Sequence, residues 1–145
     1  LERYGSQVAK RNSGMFTELD RTALGKIIFS SSSERLWLEQ LVHPNVKADL
    51  ETLLFELKSE PEIVLMIPLL FEAGFSFLCS EVWLIDCDPD QQCQRLIARD
   101  GILEKEAIDR IQAQWPIEKK RLFAEVLIDN HGKPGAWEQQ VISLI

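Results

Sequence analysis

Three short apolar runs in the second half of the chain are each followed by polar or turn-forming residues. They lie at 62–67, 82–86 and 126–128, and the first contains the continuous sequence IVLMI. Such runs, with helical spacing of apolar residues after each one, are typical of parallel strands that are covered on both faces. The order strand, helix, strand, helix, strand, helix therefore predicts an α/β fold with a parallel β-sheet flanked by helices.

The first half of the chain shows helical spacing instead. Asp20 is a predicted N-cap, and the serines at 30–33 are expected to end one helix and to cap the next. The apolar stripe that follows, at 36–57, predicts a long helix. Pro44 is expected to bend or interrupt that helix at His43.

A further helix is predicted after the second apolar run. It begins at about Pro89 and ends at Gly101, which breaks the helical pattern. We expect two short polar helices at 103–114 and 116–123, which form a mobile hairpin. A closing helix is predicted at 134–145.

Ligands of parallel α/β sheets bind beyond the carboxyl ends of the strands. In this chain those positions are 68–72, 86–99 and 129–132, which are also the three most polar or turn-rich junctions. Polar junctions occur in any α/β protein, so the coincidence alone does not define a site. It does indicate where the binding residues should be sought.

The helix after the second run carries two arginines, Arg95 and Arg99, four residues apart. This spacing places both guanidinium groups on one face, just beyond a strand that is expected to be buried. Two such groups suit an oligophosphate, because each can form paired hydrogen bonds to phosphate oxygens. The alternative is a solvated helix face on which the arginines pair with Asp90 or Asp100.

The composition narrows the class of protein. With 145 residues, 46% of them hydrophobic, the chain can bury one core, and we expect a single α/β domain over 1–145. A net charge of −7 argues against broad electrostatic binding of nucleic acid, which needs a basic surface. No apolar run approaches the roughly 20 residues of a membrane span, so we expect no membrane partner and a cytoplasmic location.

The cysteines and histidines do not indicate a metal site. Cys79, Cys87 and Cys93 lack the spacing of metal ligands, and His43 and His131 stand far apart in the sequence. We expect reduced thiols and no structural metal.

Five pieces of the sequence, in a fixed order, resemble the bacterial dephospho-coenzyme A kinases, which belong to the P-loop kinase group. Each piece is short, but together they cover nearly the whole chain. The pieces are LDRTALGKIIF from Leu19, LVHP from Leu41, PLLFE from Pro68, LIDCDPDQQCQRLIARD from Leu84 and IDNHG from Ile128. The resemblance implies a P-loop kinase-like fold, with a helical acceptor-binding region at about 15–60 and lid-like helices at about 100–122.

The resemblance also implies an activity. These kinases transfer the γ-phosphoryl group of ATP to the ribose 3′-hydroxyl of dephospho-coenzyme A, the last step of coenzyme A biosynthesis. Phosphoryl transfer depends on positioning and charge neutralisation, and Arg95 matches the family arginine that lies against the transferring group. Arg99 and Arg121 are flanking nucleotide-binding candidates. For each of them an exposed ion pair with Glu104 or Glu125 is the alternative.

Two further sets of residues are implied by the resemblance. Asn130 and Gly132 match the family's DN-x-G turn near the nucleotide base, with an ordinary Asx turn as the alternative. For His43 the alternative is a satisfied histidine at a helix bend, and for Glu72 it is a carboxylate stabilised by a helix N-terminus. The implied acceptor-binding residues are Arg21, His43, Pro68, Leu69, Leu70 and Glu72.

The glycine-rich phosphate-binding loop of such kinases has no match in the sequence. The nearest imitation is Gly25-Lys26, but Ile27 follows where a Ser or Thr should hold magnesium, so we interpret Lys26 as a helix surface residue. We therefore expect a fragment of a longer kinase that is inactive alone. Its partners would be ATP and dephospho-coenzyme A, and Mg²⁺ is expected for the full-length enzyme, with no ligand identifiable in this chain. A sheet edge exposed by truncation would promote self-association.

Two other functions are left open by the residues. One is another P-loop nucleoside or small-molecule kinase with the same lid. The other is a non-catalytic α/β domain that uses its arginine face to hold an anionic ligand. Thermal protection by different acceptors distinguishes the kinases from each other.

Overall fold

The computed structural model describes residues 3–12, 15–133 and 135–145. The chain divides into two compact units, Leu1–Val42 and His43–Ile145. Each unit has its own two-stranded sheet, which is antiparallel in the first unit and parallel in the second.

The first unit contains a β-hairpin that the apolar pattern did not predict, after a short 3-10 helix at Gly5–Val8. Strand β1 (Ala9–Asn12) pairs with strand β2 (Met15–Leu19). Ser13 and Gly14 stand between the strands in the sequence, and such a pair between two short runs is a hairpin signal. The hairpin was missed because β1, with the sequence AKRN, has no apolar alternation.

Helix α1 (Arg21–Ser30) begins where the sequence predicted. The Oδ1 atom of Asp20 accepts hydrogen bonds from the backbone N–H groups of Thr22 and Ala23, both at 3.0 Å. These bonds confirm Asp20 as the N-cap, because they satisfy N–H groups that have no partner within the helix. Lys26 is exposed on this helix, as a surface residue should be.

Helix α2 (Ser32–Glu56) comes directly after α1. Ser31 Oγ accepts a hydrogen bond from the backbone N–H of Glu34 at 3.4 Å, so the serine cluster does separate and cap the two helices. The helix continues through Pro44, so it is not interrupted at His43, whereas a bend there stays a prediction. A proline removes only one intrahelical hydrogen-bond donor. The turns on either side of Pro44 are therefore enough to continue this helix of 25 residues.

The second unit contains the parallel pair. Strand β3 (Trp83–Asp86) lies beside strand β4 (Val126–Asp129), and both are within one residue of their predicted bounds. Ile128, a residue of β4, is completely buried. The apolar runs form strands because β-branched and aromatic side chains pack well on a pleated, covered surface.

Four helices follow or connect these strands. The first of them begins with a proline in its first turn, where the missing N–H costs nothing, and it ends at Gly101 with φ +64°. The two predicted short helices are confirmed, whereas their arrangement as a mobile hairpin stays a prediction. The closing helix is shorter than predicted, and Pro134 lies outside the described residues. The helices are α3 (Pro89–Asp100), α4 (Glu104–Gln112), α5 (Ile117–Arg121) and α6 (Glu138–Ile142).

The predicted strand at 62–67 is wrong. The segment belongs to neither of the two sheets found among the described residues. Val64 and Met66 are 85% and 90% exposed, whereas a central parallel strand is covered on both faces. The residues at 68–74 form hydrogen-bonded turns rather than the predicted start of a helix, with Ala73 N donating to Leu69 O at 2.9 Å.

No helix in the part of the chain that the structure describes has both the length and the apolar character needed to cross a membrane.

Candidate active site

The parallel pair brings two distant segments of the sequence to one edge of the sheet. The strands end in Asp86 and Asp129, which are register partners. The pairing continues one step further, because Asn130 N donates to Asp86 O at 2.9 Å. The residues after the two strands, which the sequence indicated as binding segments, therefore lie side by side, as the geometry of a parallel sheet requires.

Arg95, on α3, contacts groups that come after both strands. Its Nη1 atom donates to Asn130 O at 2.9 Å and lies 3.5 Å from Cys87 Sγ, and its Nη2 atom lies 3.4 Å from Gly132 O. None of its partners among the described residues is a carboxylate. The positive charge of this exposed side chain is therefore not compensated at short range.

Arg99 has a different environment, although it lies only one turn further along α3. Its Nε and Nη2 atoms donate to Asp100 at 2.7 and 3.2 Å, and Arg110 of α4 donates to the same carboxylate at 2.7 Å. The hydrogen bond from Arg99 lowers the pKa of Asp100. The ion pair of Arg99 with Asp100, one of the alternatives for the arginine face, is formed. The alternative pair of Arg99 with Glu104 is not formed.

Arg121 ends α5 and forms a bidentate ion pair with Asp86. The two distances are 2.9 Å for Nε to Oδ2 and 3.0 Å for Nη2 to Oδ1. The hydrogen bond to this buried carboxylate raises the pKa of Arg121. The pair ties the end of α5 to the end of β3. The alternative pair with Glu125 is not formed, since that carboxylate accepts a hydrogen bond from Val82 N at 2.7 Å.

His131 lies between two carboxylates at the ends of the two strands. Its Nδ1 atom is 2.5 Å from Asp129 Oδ1, and its Nε2 atom is 3.2 Å from Asp88 Oδ1. The hydrogen bond with Asp129 raises the pKa of His131, and the hydrogen bonds from the His131 backbone and ring lower the pKa of Asp129. The place of His131 at this edge was predicted with the segment 129–132, but its contacts with the two carboxylates were not.

An Asx turn comes after β4, but Asn130 does not form it. Asp129 Oδ1 accepts the hydrogen bond from His131 N at 2.8 Å, two residues on. Within the described ranges nothing hydrogen-bonds to the side-chain amide of Asn130, which is half-buried. A Cβ at Gly132 would lie 3.2 Å from Ala136 Cβ, which is closer than ordinary contact, so the approach of the chain favours glycine there.

Glu72 lies in the turns after the apolar run and holds α5 and the segment that comes before it. Its Oε1 atom accepts hydrogen bonds from Lys120 Nζ and from Trp115 N, both at 2.8 Å. Its Oε2 atom is buried and has no partner among the described residues. The alternative of a carboxylate at a helix N-terminus is wrong, because this segment forms turns. Lys120 was missed, since nothing in the run EKKR marks which cation is buried.

The other candidate acceptor residues are divided between the two units. In the second unit the ring of His43 packs edge-on against Phe75, with centroids 5.8 Å apart, and the turns at 68–70 contain Pro68, Leu69 and Leu70. In the first unit Arg21 is exposed at the start of α1, where it lines a cavity of about 370 Å³ with Lys10, Glu18, Leu19 and Thr22.

Together these features define an α/β protein whose strand ends present an uncompensated arginine, an arrangement suited to an anionic ligand such as a phosphate. The model of the dephospho-CoA kinase family matches residues 1–135. The dephospho-CoA kinase of Prochlorococcus marinus (strain MIT 9313) is 55% identical over 144 residues, which are 99% of this chain and 71% of that protein. The enzyme of Synechococcus sp. (strain CC9605) is 49% identical over 145 residues, which are 100% of this chain and 69% of that protein.

Solved structures agree with this match. The crystal structure of TT1252 from Thermus thermophilus has a TM-score of 0.69 at 33% identity and covers 88% of this chain and 66% of its own. The dephospho-CoA kinase from Campylobacter jejuni has a TM-score of 0.61 at 24% identity, covers 99% and 70%, and supports the fold alone.

The chain belongs to the dephospho-CoA kinase family. It is therefore a transferase of coenzyme A biosynthesis, and the family implies ATP and dephospho-coenzyme A as substrates. The predicted α/β, P-loop kinase-like fold is confirmed with it.

Proposed function

We propose that Arg95 contacts the phosphoryl group that moves from ATP to the ribose 3′-hydroxyl of dephospho-coenzyme A. One observation carries this assignment. Of the three candidate arginines, Arg99 is paired with Asp100 and Arg121 with Asp86, whereas Arg95 has only a thiol and two carbonyl oxygens as described partners. Its charge is therefore available to an anion.

The partners of Arg95 can be exchanged for a phosphate. A guanidinium binds an ionised phosphate oxygen more strongly than a neutral carbonyl oxygen, because both partners are then charged and two parallel hydrogen bonds can form. A phosphoryl group that approaches the carboxyl ends of β3 and β4 would thus compete well for Arg95. The charge that develops on its oxygens during transfer would be stabilised there.

The nucleotide itself would lie along the same edge. The side-chain amide of Asn130, which has no partner among the described residues, offers both a donor and an acceptor to a base, and Gly132 lets the turn approach closely. Arg99 and Arg121 are proposed as flanking contacts. Each would have to exchange a carboxylate for a phosphate oxygen to take part.

For the acceptor, we propose the residues that the family resemblance implies. The unpartnered Oε2 of Glu72 supports this role, because a buried carboxylate oxygen favours a donor such as a ligand hydroxyl. The proposed set in the second unit is His43, Pro68, Leu69, Leu70 and Glu72, and Arg21 of the first unit is proposed separately. Magnesium is expected for the reaction, but the described residues contain no group of three or more His, Cys, Asp or Glu side chains that could hold it, and we assign it no ligand.

The test is the rate of ADP formation from ATP and dephospho-coenzyme A by a full-length chain that also carries a glycine-rich phosphate-binding loop, because the fragment is expected to be inactive alone. Arg95→Ala should lower kcat by about 10²- to 10³-fold, the usual effect of removing one group that stabilises transition-state charge. Lys105→Ala removes an equal charge from an exposed position on α4 and should leave kcat unchanged. An unchanged kcat in Arg95→Ala would refute the role.

The identity of the acceptor has its own test. Dephospho-coenzyme A should raise the Tm of the protein more than adenosine does, because it makes the additional acceptor contacts. Equal shifts would favour a kinase for another acceptor.

A further inference from the structure

Three successive backbone carbonyls after β4 are each held by a side chain of α3. We call Asn130, His131 and Gly132 the strand-end turn. Arg95 reaches the carbonyls of Asn130 at 2.9 Å and Gly132 at 3.4 Å, and Gln91 Nε2 donates to the carbonyl of His131 at 2.9 Å. Gln91 and Arg95 are four residues apart and share one face of the helix.

The amide of Gln91 can have only one orientation. A carbonyl oxygen accepts but cannot donate, so Nε2 must face His131 O and Oε1 must face the thiol of Cys87, 3.2 Å away. The thiol then donates to Gln91. Burial raises the pKa of Cys87, which keeps that proton in place at neutral pH. Gln91 thus links the residue after β3 to the turn after β4.

Arg95 would change its hydrogen-bond partners when a ligand binds, whereas Gln91 would keep its partners. If Arg95 turns to a phosphate, it releases the carbonyls of Asn130 and Gly132. Among the described residues, the remaining hydrogen bond from a side chain of α3 to the strand-end turn is the one that Gln91 makes to His131 O. The donor and the acceptor of this bond are both neutral. An incoming anion therefore attracts the amide of Gln91 less strongly than it attracts the guanidinium of Arg95.

We propose that Gln91 is a positioning residue for nucleotide binding, which holds the strand-end turn in place while Arg95 exchanges the turn carbonyls for phosphate oxygens. The inference rests on the proposed function, because it assumes that the nucleotide lies against this turn. Gln91 itself would not touch the substrate.

The decisive variant is Gln91→Met, which keeps the length of the side chain and removes both hydrogen bonds without a change of charge. Its matched control is Gln94→Met on the same helix. Gln94 is exposed, and no hydrogen bond of its side chain is found among the described residues. Gln91→Asn, with an amide that is one methylene too short to reach the carbonyl, serves as a milder second variant if Gln91→Met fails to fold.

Two quantities should be measured on the same full-length chain, which carries the phosphate-binding loop, in the wild type and the variants. The Kd for ATP, by calorimetry, should rise about five- to tenfold in Gln91→Met, as expected for one lost hydrogen bond, while the Kd for dephospho-coenzyme A stays unchanged. Amide hydrogen exchange in the strand-end turn should also become faster, and more so with ATP bound than without it. A merely structural role would weaken both ligands together.

The outcomes separate the two proposals. If the wild-type chain binds no ATP, the proposed function fails and this inference fails with it. If the wild type binds ATP but Gln91→Met matches Gln94→Met in Kd and exchange, only the positioning role is overturned. Loss of affinity for both ligands to the same degree would also overturn it.

Discussion

The strands β3 and β4 end in the same three residues, Leu-Ile-Asp, and their aspartates are register partners, yet the two ends differ. The side chain of Asp86 is 12% exposed and is bonded through both oxygens to Arg121. The side chain of Asp129 is 67% exposed and bonds to His131 two residues on. One carboxylate holds a distant helix and the other shapes a local turn.

The difference arises from the residues that come after each strand. Asp86 is reached by a cation 35 residues later in the chain, and its carboxylate is buried. Asp129 is succeeded at once by a turn residue, and its bonds stay local and exposed. The same tripeptide in the same register can therefore serve packing at one strand and site geometry at its neighbour.

The strongest test of this comparison is to neutralise each aspartate. Asp86→Asn should lower the Tm by about 5 to 10 °C, because it leaves the guanidinium of Arg121 without its charged, doubly bonded partner. Asp129→Asn keeps an oxygen that can accept from His131 N and should lower the Tm by at most about 2 °C. Differential scanning calorimetry of both variants decides the matter, and equal shifts would contradict the comparison.

The stability of the end of β4, where Asp129 and His131 form the turn, should also depend on pH. The pKa of His131 is raised above its ordinary value of 6.5, so its stabilising contribution is complete below 6.5 and is lost as the pH rises through the folded-state pKa. The pKa of Asp129 is lowered from 3.8, so its contribution is present above 3.8 and is lost as the pH falls through the folded-state pKa.

These signs predict a decline in Tm on the alkaline side of 6.5 that belongs to His131. The decline should be present in the wild type and absent in His131→Gln, which cannot gain or lose the proton. Thermal unfolding at half-unit steps of pH measures it. The hypothesis fails if the variant shows the same decline.

The smallest expected effect concerns Gly132. Gly132→Ala places a methyl group 3.2 Å from Ala136 Cβ and should lower the Tm by about 1 to 2 °C. If crowding is the cause, Ala136→Gly should cost less in the Gly132→Ala background than in the wild type. Additive effects of the two substitutions would show that the contact is relaxed without strain.

The elements on either side of these ends could be predicted because their signals are local. An apolar run closed by a polar residue indicated β3 and β4, and helical spacing between Pro89 and Gly101 indicated α3 and its arginine face. Capping at Asp20 was equally local, because the side chain and the N–H groups that it binds lie within three residues.

The pairings between distant residues could not be read in the same way. Arg121 and Asp86 are 35 residues apart, and the sequence offers several acidic partners for the same arginine. The prediction of a strand at 62–67 was wrong for a related reason. Its side chains favour a strand, but a strand also needs a hydrogen-bonded neighbour, and the described residues provide none.

The parallel register has a kinetic consequence for the candidate site. Val82 and Glu125, which meet at the start of the pair, are 43 residues apart, so β3 and β4 cannot join through a tight turn. Contacts of such sequence separation form late, because the loop must lose its entropy before they stabilise it. We expect α3, α4 and α5 to form first and the edge that carries Arg95 to be assembled last. Pulse-labelled hydrogen exchange should therefore protect the α3 amides before those of β4, and the reverse order would contradict this folding sequence.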